Sequence, residues 1–168
     1  MPTRLEFTTG MTRQEALKEK KERCSKDNPY KYKLYNLNIT GQPDGRSVTK
    51  IIIEKEEFKI KDYSLKIILR LVQESKKGKG GYINEDKLIK EGIVSGDSIR
   101  QRINQINVLF RKITQKIIIS KTVRGITKRK LHRLNVYPDL ISYDINNLKN
   151  SGDSKIREIA NNLSTPTQ

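Results

Sequence analysis

The chain has 168 residues and a mass of 19.5 kDa, enough for one compact core with extensions. A formal net charge of +16 and a pI near 9.9 lie far from those of an ordinary metabolic enzyme, and make attraction to nucleic acid or another anionic surface the physical expectation. No apolar run approaches the roughly 20 residues of a bilayer crossing, Met1 to Gly10 lacks a signal-peptide core, and one cysteine with one histidine excludes an internal disulfide and a Cys/His zinc site, so a soluble, cytoplasmic protein with no cofactor and no bound metal is expected.

Residues 1–28 read as a basic, solvated arm. The stretch TRQEALKEKKERC has ion-pair spacing, Glu15 with Lys18 and Glu19 with Arg23, but only Ala16 and Leu17 as an apolar face, so it is not expected to dock firmly. The sharper alternative is an arm that orders on DNA, as basic arms do in some minor-groove readers. Cys24, beside Lys20, Lys21 and Arg23, is expected to be an exposed bystander.

From Tyr30 the pattern turns to period two, Tyr30, Tyr32 and Leu34, then Tyr35, Leu37 and Ile39 after a bulge. Gly41, Pro43, Asp44 and Gly45 supply turn chemistry, and Val48 to Ile53 is a further strand followed by Phe58 and Ile60, which together predict a small antiparallel sheet ahead of the helices. Asp62 is the expected N-cap of a first helix whose buried stripe is Leu65, Ile68, Leu69 and Val72. It ends before the KKGKGG loop, where Lys76, Lys77 and Lys79 are candidate phosphate contacts. Asn84 caps a short second helix with Glu85 and Asp86 in its first turn, Gly92 ends it, and GIVSG leads into a third.

In that third helix, read over 98–112, Ile99, Ile103, Ile106, Phe110 and Ile113 recur at steps of four and three and hold one buried side. Asp97, Gln101, Asn104, Gln105 and Lys112 lie opposite, Ser98, Arg100 and Asn107 on the flanks, and Arg102 nearer the buried side. Arg, Asn and Gln can pair with purine edges in a major groove, and a serine near a helix start can hold a phosphate. Two strand-like runs follow, Lys116 to Thr122 and Leu131 to Val136. Between Lys121 and Val136 stand six basic residues, Lys121, Arg124, Lys128, Arg129, Lys130 and Arg133, and no acidic one, so this ribbon suits a polyanion. His132, inside the second strand, is expected to be a structural or phosphate-contacting imidazole rather than a general base.

Beyond Pro138 the charge falls to slightly acidic. Ile145, Leu148, Ile156, Ile159 and Leu163 leave one apolar stripe, to be used either by two short helices packing on the domain or as a homodimerisation element, and the last residues should fray. The expected organisation is a flexible arm over 1–28, a nucleic-acid-binding domain over 29–137 and a helical extension over 138–168. The fold class is α+β: an N-terminal antiparallel β-sheet, three helices, a C-terminal β-hairpin wing and a helical tail, the order of a winged helix-turn-helix.

The same order, with FKIKDYSLKIILRLVQ, GYINEDKLI, DSIRQRINQINVLFRKI and above all the TVRG string at Thr122–Gly125, resembles the OmpR/PhoB-type winged-helix DNA-binding domain, over roughly Leu34 to Leu134. The resemblance implies binding of double-stranded DNA in transcription regulation. It implies that Ser98, Gln101, Arg102 and Gln105 face DNA, that Thr122 contacts its backbone, and that Arg124 reaches the minor groove or its phosphates. Asn104 joins the base-reading set from the helical wheel. Arg100, Lys112, Lys121, Lys128, Arg129, Lys130 and Arg133 join the backbone set from their charge. The aromatic that usually follows the wing glycines is absent from ITKRK, no phosphorylatable receiver domain is expected in the first 28 residues, and the turn before the third helix is short. Phosphorylation control and contact with RNA polymerase are therefore not implied.

Rival readings differ in class. Pro43–Asp44 with Glu57–Phe58–Lys59 matches the loose PD and ExK pattern of Mg²⁺-dependent nucleases, although the first pair is equally turn chemistry. Winged helices also serve as protein-interaction modules or as architectural and replication-type nucleic-acid-binding modules, for which the outward Val108 and Leu109 would suit a partner. RNA binding would need more stacking aromatics than Tyr30, Tyr32 and Tyr35.

Overall fold

The computed structural model describes residues 12–123, 125 and 129–164, Arg129 by its backbone alone. The fold is α+β, and among the described residues it holds six α-helices and two separate sheets. Helix α1 spans Arg13–Lys26. Strands β1 (Leu37–Pro43), β2 (Val48–Ile53) and β3 (Glu56–Lys61) then lead into α2 (Asp62–Ser75). After β4 (Ile83–Asn84) come α3 (Glu85–Lys90), α4 (Ile99–Leu109) and the hairpin β5 (Ile118–Val123) and β6 (Arg129–Leu134). A 3₁₀ turn at Pro138–Leu140, β7 (Ile141–Tyr143), α5 (Ile145–Lys149) and α6 (Ser154–Ser164) complete the chain.

The first sheet has the order β3-β2-β1-β7. Its hairpins are antiparallel, but β7 joins β1 in parallel, Leu37 opposite Ile141, so the sheet is mixed and not the purely antiparallel one expected. The strand also starts later than the tyrosine pattern suggests. Residues 30–35 lie outside it, making one isolated bridge, Lys33 with Val136, while Tyr32 packs edge-on against Tyr30 and Tyr137. The β2–β3 turn is Glu54–Lys55, both at positive φ (50° and 77°), as a two-residue hairpin of the mirror-image type requires. Neither residue favours that region. The turn is held instead by the burial of Ile51, Ile53 and Ile60 in the strands and by a Lys21–Glu54 ion pair.

Helix α2 is the pillar of the molecule. Leu65, Ile67, Ile68, Leu69, Arg70, Leu71 and Val72 are all buried, so it is covered on every side and not along the single stripe its spacing predicts. The first sheet, β6, α4 and α6 all pack on it. Lys61, not Asp62, is the N-cap; Asp62 is the first helical residue and accepts a hydrogen bond from Thr49 Oγ1 at 3.0 Å. Asn84 caps α3 as expected, its Oδ1 accepting from Asp86 N at 2.9 Å.

The first and last described helices both fold back on this core. Helix α1 docks near the 3₁₀ turn without an apolar face: Tyr137 donates to Asp27 O at 2.8 Å, and Cys24 is buried. The expectation of an exposed thiol is therefore corrected. Burial raises the pKa of Cys24, Asp139 adds to the rise, and the thiolate is disfavoured. The arm before Thr12 lies outside the described residues, as do residues 165–168. At the other end, Leu148, Ile156, Ile159 and Ala160 are buried, and α6 runs against α2. The C-terminal stripe is thus turned inward and is not a free dimer face. At Gly41, with φ +67°, an added Cβ would sit 2.8 Å from Asn147 Cβ, so only glycine lets α5 approach β1 this closely.

Candidate nucleic-acid interface

Three elements adjoin one another: α4, the β5–β6 hairpin, and the short β4–α3 unit. Strand β4 pairs with β6, giving a three-stranded antiparallel sheet in the order β4-β6-β5. From Ser95 to Val136 the sequence carries eleven Lys or Arg and one acidic residue, Asp97. A large part of the chain's positive charge is therefore concentrated here.

Helix α4 begins at Ile99, with Ser98 as N-cap, and ends at Leu109, shorter than the expected 98–112; Lys112 lies in the turn beyond it. Ile99, Ile103, Ile106 and Phe110 are buried, as their spacing requires, and Phe110 meets Phe58 edge-on at 4.9 Å between ring centres. Gln101, Asn104, Gln105 and Val108 are exposed, at i, i+3, i+4 and i+7, and form one outward stripe. Val108, which would suit a partner in the rival reading, is 46% exposed and stands in line with the polar readers.

The flanks are less free. Ser98 is half-buried, and its hydroxyl accepts from Ser95 Oγ at 2.9 Å. Arg100 is exposed, with Nη2 3.7 Å from Glu85 Oε1, and Lys112 pairs with Glu56 at 3.3 Å. Both cations are well exposed, and the Lys112–Glu56 contact is a surface ion pair worth about 0–1 kcal/mol, weak enough for the lysine to exchange onto a phosphate. Arg102 stacks on Tyr63 with Cζ 3.7 Å from the ring centre and donates to Gln105 Oε1 at 3.1 Å.

On the hairpin, Thr122 is exposed, Lys130 is half-buried, and Lys121 holds its ammonium 4.1 Å from the centre of the Tyr82 ring. Arg124 and Lys128 lie outside the described residues, as does the side chain of Arg129. Arg133 does not serve as a phosphate contact. Only 5% exposed, it donates to Tyr30 O at 2.8 Å and Asn135 Oδ1 at 3.0 Å and stacks on Tyr32, so its charge is committed to holding residues 30–32 against the second sheet. Lys76 is likewise taken out of the candidate phosphate set: it donates to Pro138 O and Ile141 O, and burial lowers its pKa. Lys77 pairs with Glu74 at 2.9 Å, while Lys79 is exposed.

Two internal links make the surface rigid. His132, 2% exposed, has Nδ1 2.6 Å from Ser120 Oγ and Nε2 3.2 Å from Glu85 Oε2. Burial lowers its pKa against the pull of Glu85, so the neutral imidazole joins the hairpin to the start of α3 as a structural link. The second link is Asn107, whose Oδ1 accepts from Ile118 N at 2.9 Å and whose Nδ2 donates to Ile118 O at 3.1 Å, fastening the end of α4 to the start of β5. The helical spacing places Asn107 on the flank, and an amide three positions before the buried Phe110 carries no local sign of this role. Replacing Asn107 with Ala strands a buried backbone N–H and C=O, and urea unfolding should register a loss of about 2–3 kcal/mol.

Of the nuclease pattern, Asp44 and Lys59 come together as an ion pair, while Glu57 is displaced along the strand. Asp44 sits beyond the end of β2 where Val48 opposes Lys61, and Glu57 opposes Ile52, four residues or about 13 Å farther along the strand. Asp44 is also paired with Lys59 at 3.2 Å. Among the described residues no group of three His, Cys, Asp or Glu side chains is placed to hold a metal ion, and no helix is long and apolar enough to cross a membrane. In comparisons with family models, curated proteins and solved structures, none matches this chain.

Proposed function

We propose that the chain is a winged helix-turn-helix protein that binds double-stranded DNA and regulates transcription. In this reading α2, α3 and α4 form the three-helix unit, α4 enters the major groove, and the β5–β6 hairpin is the wing on the adjacent minor groove or backbone. The observation that carries it is the outward stripe of α4. Gln101, Asn104 and Gln105 are exposed amides on a helix whose end is fastened to β5 by Asn107, inside the most basic part of the chain. Amides serve base edges, Val108 suits a thymine methyl, and Arg100, Lys112, Lys121, Thr122 and Lys130 border the stripe as phosphate contacts. The resemblance to OmpR/PhoB effector domains, carried by TVRG and the helix segments, supports the same reading.

Duplex binding followed by fluorescence anisotropy across a salt series tests it. The logarithm of affinity should fall linearly with the logarithm of salt concentration, and Lys130→Ala should weaken all sequences alike and flatten the slope by about 1. Gln101→Ala should leave the slope alone and reduce discrimination between sites by about 1–3 kcal/mol. Affinity indifferent to salt would falsify the electrostatic basis of the proposal.

A further inference from the structure

Arg102 is the one basic side chain of α4 that is not free to meet a phosphate, and its geometry sets the chemistry of its neighbour. Its guanidinium sits over the ring of Tyr63, in the first turn of α2, with Cζ 3.7 Å from the ring centre. A stacked guanidinium keeps its donors in the plane of the fork, and one of them, Nη1, points along the helix to Gln105 Oε1 at 3.1 Å. The carbonyl end of the Gln105 amide is thereby drawn back towards the helix. Its nitrogen carries two donor hydrogens, belongs to an exposed side chain and has no hydrogen-bond acceptor among the described residues.

Resting on the DNA-binding reading above, we infer that the Tyr63–Arg102 stack is a positioning device that makes Gln105 a donor-only reader, selecting guanine over adenine at the base it faces. Guanine offers two acceptors in the major groove, N7 and O6. Adenine offers N7 beside an N6 amino group that itself donates, so the usual paired contact of glutamine with adenine needs the amide oxygen turned outward as well. That oxygen is engaged by Arg102. Arg102 is thus a positioning residue acting through Gln105, and loss of its hydrogen bond should free the amide to turn.

The test is selection of bound sequences from randomised duplexes with the full chain, followed by affinities for duplexes differing only by G or A at the position whose preference Gln105→Ala abolishes. The wild-type chain should favour G by about tenfold or more. Arg102→Met, which keeps an apolar body on Tyr63 but has no donor, should bring the ratio to near unity or reverse it. Arg102→Lys, which restores a donor and a charge over the ring, should recover much of the preference. Gln105 is exposed, so Gln105→Ala leaves the core untouched and remains informative whatever happens to the Arg102 variants. A preference for adenine at the Gln105 position, an unchanged G-to-A ratio in Arg102→Met, or a Gln105→Ala chain that keeps every base preference would overturn the inference while leaving DNA binding intact. Failure of the wild-type chain to bind any duplex would instead remove the reading on which it rests.

Discussion

Ending the chain after Tyr143 is expected to leave no cooperatively folded protein. The last two helices are not an appendage, because Leu148, Ile156, Ile159 and Ala160 belong to the same buried cluster as Leu37, Ile39, Leu65 and Ile68. Their removal uncovers one side of α2 and the end of β1 at Gly41. Deleting a single buried Leu or Ile side chain to Ala costs about 2–5 kcal/mol, and three such losses together are as large as the roughly 5–15 kcal/mol by which a domain of this size is stable. Circular dichroism should show loss of the sigmoidal thermal transition in the truncated chain. Ile156→Ala, a milder change at a fully buried site, should keep the fold and lower its stability by about 2–5 kcal/mol in urea. A truncated chain that melts as sharply and as late as the full one would show that α2 does not depend on α6.

What could be seen beforehand follows the range over which each cause acts. The buried side of α4 was legible because Ile99, Ile103, Ile106 and Phe110 obey one local period, and the cap at Asn84 because an Asn before two acidic residues is a local signal. The parallel pairing of β1 with β7 was not, because Leu37 and Ile141 are far apart in the chain and three residues of strand leave little periodicity. The Glu54–Lys55 turn carries none of the residues that favour positive φ, so the strands it joins and the distant Lys21 that pairs with Glu54 explain it. In the interface, the outward amides could be read from the wheel, and so could the misfit of Arg102. The fate of the cations could not: Arg133 and Lys121 look alike in a basic ribbon, yet Tyr32, Tyr30 and Asn135 close over the first while the second stays exposed. Which basic residues remain free is decided by tertiary neighbours, and that is the part of the site that charge counting gets wrong.

Arg70 should be the costliest single side chain to remove from the helical unit. It is 5% exposed, and its guanidinium bridges two carboxylates: Nε and Nη2 donate to Glu91 at 2.7 and 3.1 Å, and Nη1 donates to Glu74 at 2.8 Å. Burial works against the charge on Arg70, but the hydrogen bonds to Glu91 and Glu74 outweigh it and raise its pKa. In Glu74 burial is likewise outweighed, by Lys77 and Arg70, and in Glu91 the hydrogen bond from Arg70 is the leading cause, so both carboxyls titrate below their ordinary range. Glu91 is the C-cap of α3, so this bridge ties α2 to the turn that sets the direction of α4. Arg70→Met leaves the enclosed Glu74 carboxylate with only the peripheral lysines Lys77 and Lys87, and breaking such a pair costs about 3–5 kcal/mol. The pH dependence has a definite sign. Because the folded pKa values of Glu74 and Glu91 are depressed, the bridge contributes fully above the unfolded carboxylate range, near pH 4.3, and its contribution fades as pH falls through the lower folded values. The stability gap between the wild-type and Arg70→Met chains should therefore be widest at neutral pH and narrow progressively below about pH 4. Adding Glu74→Gln and Glu91→Gln to Arg70→Met should recover part of the loss at pH 7, since the cost lies in carboxylates left without their cation and not in the absent arginine itself.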